Sequence, residues 1–261
     1  MFAPLLERPS IELAELGERA ALMNRVDRKY VLPLPALSRL LQELPAGASV
    51  LEIDGRREMT YASEYFDTLD LALYRDAAHR HRRRFKVRTR TYCDSGESWL
   101  EIKTRGVRGR TRKERIRHHG DVERLGDEGS GFINRTLAAA GFTGYAAALL
   151  RPQLRTDFMR TTVFLPADAA RVTIDTRLRL GAKDGRAHAF EDLVVVETKS
   201  GSRPSAVDHL LWASGRRPQK VSKYAIGCAL FDTRLPANKW RRIIDTTFLP
   251  ATHANDTGEP R

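Results

Sequence analysis

Between Arg75 and Arg117 the chain carries sixteen Lys and Arg against five acids, Asp76, Asp94, Glu97, Glu101 and Glu114. A guanidinium offers oxyanions a planar fork of donors and an ammonium offers a mobile point charge, so a concentration of both suits a phosphate-rich ligand. The excess of +11 in this stretch is nearly all of the formal +12 of the 261-residue chain. That distribution argues for one site and against a generally basic surface.

The spacing says how the charges are carried. In the run from His81 to Arg90, Arg82, Arg84, Lys86, Arg88 and Arg90 take the even positions and Phe85, Val87 and Thr89 the odd ones. On a strand that parity puts the cations on one face and the apolar or β-branched side chains on the other. Trp99, Glu101, Lys103 and Arg105 alternate in the same way with Leu100, Ile102 and Thr104, and a third run alternates Arg110, Arg112, Glu114 and Ile116 with Thr111, Lys113, Arg115 and Arg117. Asp94–Glu97 and Gly106–Gly109 supply turns, so the three runs predict an antiparallel meander. Like charges side by side on neighbouring strands repel by roughly a few tenths to 1 kcal/mol per opposed pair. A face that accepts this cost is built for a polyanion.

The elements that must position this face are read from periodicity. Strands are expected near residues 49–54, 58–67, 83–93, 97–105, 110–117, 154–165, 171–180 and 192–199. Helices are expected from Ser10, as a cap, to Met23, and over 34–44, 129–150, 203–213 and 222–231, with a loose tail from about Thr247. Eight mostly sequential strands predict an α+β protein in which an antiparallel sheet closes into an eight-stranded barrel with flanking helices, since closure removes exposed edges. With no linker or repeat visible, residues 1–246 are read as a single domain and 247–261 as tail.

At 41% hydrophobic and 30% charged residues the composition is that of a globular protein. No apolar run is long enough to span a bilayer and no secretory pattern opens the chain, so a soluble, cytoplasmic protein is expected. Cys93 and Cys228, the two cysteines, predict buried free thiols and no zinc site. His79, His81, His118 and His119 read as extensions of the basic surface. Nucleic acid is disfavoured as a partner: only Phe85, Tyr92 and Trp99 accompany the basic residues, and no recognition helix stands out.

Nine short motifs follow one another along the chain: Arg28-Lys29-Tyr30, Ser63 to Thr68, Arg88-Thr89-Arg90, Glu101 to Thr104, Lys113-Glu114-Arg115, Phe158-Met159-Arg160, Arg171 to Asp175, Val196 to Lys199, and Ser222-Lys223-Tyr224. In this order, over about residues 20–232, the chain resembles VTC-domain proteins, the polyphosphate polymerase domains of the triphosphate tunnel metalloenzyme (CYTH-like) superfamily. The resemblance implies an eight-stranded tunnel in which basic side chains bind a triphosphate and an acidic residue holds Mn²⁺ or Mg²⁺. It implies transfer of the terminal phosphate of ATP onto a growing polyphosphate chain. Carried over by position, it implies that Lys29, Arg88, Arg90, Lys103, Lys113, Arg160, Arg171 and Lys223 bind the phosphates and act in the transfer, that Ser222 sits beside them, and that Glu197 binds the metal. A membrane protein acting in trans is a further implied partner, and the oligomeric state is left open.

Glu197 ends the apolar run Leu193–Val196, and its residue type admits two roles. One is a strand-end ion pair with Lys199 or an arginine. The other, favoured by the resemblance, is ligation of a hard cation, which takes one or two carboxylates plus substrate phosphates. Glu101 and Glu114 read as charge spacers more than as further ligands. The related triphosphatases open on Glu-x-Glu-x-Lys, where this chain has Arg25-Val26-Asp27-Arg28-Lys29. Losing one acid disfavours the hydrolytic branch. The alternatives to a polymerase are a triphosphatase and a protein that binds polyphosphate, inositol phosphate or nucleotide without turnover, as a sensor or scaffold.

Overall fold

The computed structural model describes residues 2–20, 26–106 and 111–256. Arg25, Met23, residues 107–109 of the expected turn and Arg110 lie outside the described residues. The strands are β1 (Ser10–Ile11), β2 (Val26–Pro33), β3 (Ser49–Leu51), β4 (Met59–Asp67), β5 (Arg84–Tyr92), β6 (Glu97–Arg105), β7 (Thr111–Arg117), β8 (Arg151–Leu165), β9 (Ala170–Ala182), β10 (Ala187–Phe190) and β11 (Leu193–Ser200). The helices are α1 (Ala3–Leu6), α2 (Leu13–Arg19), α3 (Leu34–Gln42), α4 (Ala72–Ala78), α5 (Gly126–Ala139), α6 (Ala206–Ala213), α7 (Lys223–Phe231), α8 (Arg241–Ile243) and α9 (Leu249–Asp256).

The α+β class and antiparallel pairing agree with the sequence reading, but the closed eight-stranded barrel does not. The strands form one sheet of eleven, in the order β2-β11-β9-β8-β4-β5-β6-β7, with β1, β3 and β10 attached at its side, and the order has two ends. Each end is managed without closure. At β2 the Lys29 carbonyl accepts the N–H of Gln219 from a loop, at 2.7 Å. At β7 the end strand carries exposed Arg112, Lys113, Arg115 and Arg117, charges that discourage edge pairing.

Further readings are corrected: the helix expected over 129–150 ends at Ala139, with only a short turn at Ala147–Leu149 beyond it. Ser10 caps no helix: it pairs with Val50 in a parallel β1–β3 contact, and α2 starts at Leu13 with Glu12 before it and no side-chain cap. The tail is helical to Asp256, through a π-helical turn at Ile244–Phe248 and α9, because Phe248 and Thr252 are buried. Cys228 is buried, whereas Cys93 is exposed, and His118 is buried with its ring Nε2 3.0 Å from the Asp121 carbonyl.

The chain divides into two compact units. The first comprises Met1–Thr60, Phe158–Leu178 and Phe190–Val221, the second Tyr61–Asp157, Arg179–Ala189 and Ser222–Arg261. In the first, the alternating residues Tyr30 and Leu32, Val172 and Ile174, and Val194 and Val196 pack with Val163, Leu165, Leu37, Leu41, Val207 and Leu211 into one buried cluster. Helix α6 is fixed by a capping box in which Ser205 and Asp208 satisfy each other's backbone N–H. Asp208 also accepts hydrogen bonds from Tyr30 (2.7 Å) and Thr198 (2.6 Å).

In the second unit Phe85, Val87, Leu100 and Ile102 form a cluster with Phe132, Ile133 and Leu137 of α5. Burying each such side chain contributes about 1.5–3 kcal/mol, against at most about 1 kcal/mol per like-charge pair on the opposite face. The apolar side therefore dictates register, and the cations follow. Helix α4 follows Leu71, whose φ is +58°, and is capped from a distance by Asp67, which accepts the N–H groups of Leu73 (2.9 Å) and Tyr74 (2.8 Å).

Candidate functional site

In the second unit the cationic face forms as its parity requires. Lys86, Lys103 and Lys113 stand in one register row across β5, β6 and β7. The next row holds Tyr65, Arg88, Glu101 and Arg115, and the one after it Ser63, Arg90, Trp99 and Arg117. At the far end Arg84 faces Arg105.

The repulsion is absorbed by one buried acid. Glu101, 3% exposed, takes Arg88 on one oxygen, with Nε at 2.8 Å and Nη2 at 2.5 Å, and Lys113 on the other at 2.5 Å. Burial alone would raise its pKa, but Arg88, Arg90 and Lys113 outweigh that and bring it down to about 2. Arg90 donates to Ser63 Oγ at 3.2 Å. Lys86 donates to Ser222 Oγ at 2.8 Å, and the same hydroxyl accepts the N–H of Ala225 as the cap of α7. Lys223 is the first residue of that helix. Lys103 is exposed.

The first unit holds a second cluster on the face of β2, β11 and β9 that points away from the core. Glu197 is opposite Lys29 on one side and Thr173 on the other, and Lys199 is opposite Asp27 and Arg171. Glu197 pairs with Lys199 at 3.0 Å and Lys29 at 3.8 Å. Burial pushes its carboxyl up, and Lys29, Lys199 and Arg160 bring it down to about 2. Arg160 grips Asp175 in a fork, at 2.6 and 2.8 Å. Arg171 Nη2 donates to the Leu16 carbonyl at 3.5 Å. Thr173, 3% exposed, keeps its hydroxyl without a hydrogen-bond partner.

The sequence-predicted residues thus fall into two groups: Arg88, Arg90, Lys103, Lys113, Ser222 and Lys223 in the second unit, and Lys29, Arg160, Arg171 and Glu197 in the first. Of the two roles expected for Glu197, the ion pair with Lys199 is present. Sequence reading placed Lys86 on the cationic face, by the parity it shares with Arg88 and Arg90, but did not assign it to the site. It named Lys199 only as an ion-pair partner of Glu197, and it passed over Asp175 as the counter-ion of Arg160 on the neighbouring strand. It also passed over Tyr65, inside a quoted motif but without a charge to draw notice.

The VTC domain family model matches residues 24–232. No curated protein matches the sequence. Among solved structures, a putative adenylate cyclase from Bacillus halodurans is similar at a TM-score of 0.50 and 13% identity, over 76% of this chain and 94% of its own. A putative adenylyl cyclase from Hippeastrum, described as having a dominant triphosphatase activity, aligns at a TM-score of 0.47 and 16% identity, over 79% of this chain and 96% of its own.

Proposed function

The chain belongs to the VTC domain family, and from that premise we propose that it is a metal-dependent phosphotransferase that moves the terminal phosphate of ATP or another nucleoside triphosphate onto a polyphosphate chain. The observation that carries this reading is the array on β5, β6 and β7: three lysines in one row, Arg88 and Arg90 beside them, and a single buried carboxylate holding them apart. Phosphoryl transfer asks a protein mainly to position oxygens and to neutralise charge. Arg88 and Arg90 supply forks for bidentate contact, and Lys86, Lys103 and Lys113 supply point charges that a moving chain can exchange. Because Glu101 is ionised, an arriving phosphate competes with it for Arg88 and Lys113, so bound anion is exchanged and not trapped. Lys29, Arg160, Arg171 and Lys223 extend the same role, and Ser222 holds Lys86 in place.

The donor set around Glu197 fits a hard divalent cation. Its carboxylate is ionised, and the Thr173 hydroxyl, in register with it, is a buried oxygen with no partner. Among the described residues no three His, Cys, Asp or Glu side chains gather into a metal-binding group, so Glu197 and Thr173 would hold Mg²⁺ or Mn²⁺ with substrate phosphates completing its shell. Bound there, the cation supplies positive charge to phosphate oxygens. Lys29 and Lys199, each paired with one of its two oxygens, would yield them to the cation.

Incubation of the purified chain with ATP, Mn²⁺ and a short polyphosphate primer tests the reading. Growth of the primer is expected, and Glu197→Gln should abolish it. Release of inorganic phosphate without growth would make the protein a triphosphatase, and tight binding without turnover a sensor or scaffold. Full activity in the Gln variant would remove Glu197 from the metal role. No helix among the described residues is long and apolar enough to cross a membrane; a membrane partner in trans and a cytoplasmic location belong to the proposal.

A further inference from the structure

Tyr65 has no part in the assignments above, yet it stands at the β4 end of the middle row of the cationic face. It stands in register with Arg88, is 8% exposed, and its ring stacks on Tyr224 of α7 with centroids 5.1 Å apart and planes inclined by 22°. Its hydroxyl oxygen accepts from Arg88 Nη1 at 3.0 Å. Arginine only donates, so this contact uses the oxygen and leaves the phenolic proton to be placed elsewhere. Around it stand Lys86, Arg88 and Arg90 of β5, with Glu101 of β6 already occupied by Arg88 and by Lys113 of β7. Ser63 on the same strand face accepts from Arg90, and the Tyr224 hydroxyl donates to the buried carboxylate of Asp67. The charged groups around this phenol are thus the cations Lys86, Arg88 and Arg90 and the carboxylates of Glu101 and Asp67, which pair with Arg88 and Lys113 and with Tyr224, a setting that favours the phenol's oxygen as an acceptor over its proton as a donor.

We propose that Tyr65 is a positioning residue: its phenolic oxygen, as the phenolate, acts with Glu101 as a resident anion that holds the Arg88 fork until a phosphate chain takes it over. The inference rests on the proposed phosphate-binding role of this face and goes beyond it by making ligand binding and proton uptake one event. When a polyphosphate oxygen comes to Arg88, it makes a third anion beside Glu101 and the phenolate at one guanidinium, and the phenolate takes a proton from solvent. Burial alone would raise the pKa of this phenol, but Arg88, Arg90 and Lys86 bring it down to about 7, which places the exchange in the neutral range. Tyr224, buried and bonded to Asp67, is shifted well upward and remains protonated there.

Tyrosinate absorbance of the full chain, followed against pH for wild type, Tyr65→Phe and Tyr224→Phe, with and without inorganic tripolyphosphate, decides the matter. The free wild-type protein should show one tyrosine ionising near pH 7, absent in Tyr65→Phe and retained in Tyr224→Phe. Saturating tripolyphosphate should move that transition up by about one unit, so that tripolyphosphate affinity falls about tenfold more between pH 6 and 9 in wild type than in Tyr65→Phe. Absence of a Tyr65-dependent transition below pH 9 overturns the proposal, as does a transition that tripolyphosphate leaves in place while binding. If tripolyphosphate binds neither protein, the phosphate-binding reading falls, and with it the exchange at Arg88. The titration of the free protein separates that failure from the failure of the phenolate itself: a wild type with no tyrosine ionising below pH 9 overturns the proposal without any variant, and Tyr65→Phe assigns the transition where one is seen.

Discussion

Glu101 is the residue on which the cationic face depends most for its stability. Its folded pKa of about 2 lies below the ordinary 4.5, so its contribution is fully present above about pH 4.5 and is lost as the pH falls toward 2. Integrated over that shift it is on the order of 3 kcal/mol. Glu101→Gln removes the charge and leaves Arg88 and Lys113 facing each other. Urea denaturation at pH 7 should show a loss on the order of 2–3 kcal/mol, and the gap to wild type should close as the pH is lowered through that window. A gap that stays constant from pH 7 to pH 2.5 would mean that the carboxylate does not carry the effect. The residue types on this face were legible in the sequence because charge and parity coincide there. The counter-ions were less so: Lys199 was legible as a partner of Glu197 two residues away on one strand, but Asp175 is recognised as the partner of Arg160 only once the register pairs their strands, which no local pattern specifies.

At the scale of elements, α7 places Ser222 and Lys223, and it does so through a close approach. A Cβ on Gly227 would meet Leu154 of β8 at 2.6 Å, and Leu154 is itself 1% exposed. Gly227→Val should destabilise the protein by about 1–3 kcal/mol through overpacking, and by displacing the helix it should weaken the Lys86 contact to Ser222. Thermal denaturation with tripolyphosphate titration reads both effects; a variant of unchanged stability would contradict this packing. Helix α6 offers a second check: Ser205→Ala removes its cap and should cost about 0.5–2 kcal/mol by the same denaturation measurement. Strands β5 to β7 and helix α3 were legible because their periodicity is unbroken, whereas α7 is buried all round from Tyr224 to Leu230 and was legible as an apolar run behind the Ser222 cap. Strand β2 was missed, since three charges in Val26–Pro33 hide the alternation of Tyr30 and Leu32 with Lys29 and Val31. Strands β1 and β10 are two and four residues long, too short for a period to register. Helix α4 escaped because its cap, Asp67, lies upstream of a left-handed residue and not beside the first turn.

For the molecule as a whole, the sequence conveyed an antiparallel sheet with helices and a localised excess of charge, and both are present. It did not convey the topology. Counting eight strands invited closure, whereas eleven strands leave ends at β2 and β7, one met by the backbone of Gln219 and the other protected by its own charge. Closure was inferred from the general cost of edges, and here a loop and an arginine-rich strand meet that cost locally.

The central claim is that the charge of this chain is a site for linear phosphates and not a diffuse basic surface. Calorimetric titration with tripolyphosphate at fixed salt tests it most directly, comparing wild type with the double variant Arg88→Ala/Lys103→Ala and with Arg124→Ala, whose side chain is 85% exposed. The double variant should bind roughly tenfold or more weakly, and Arg124→Ala within about twofold of wild type. Equal losses per charge removed, wherever the charge sits, would contradict the claim.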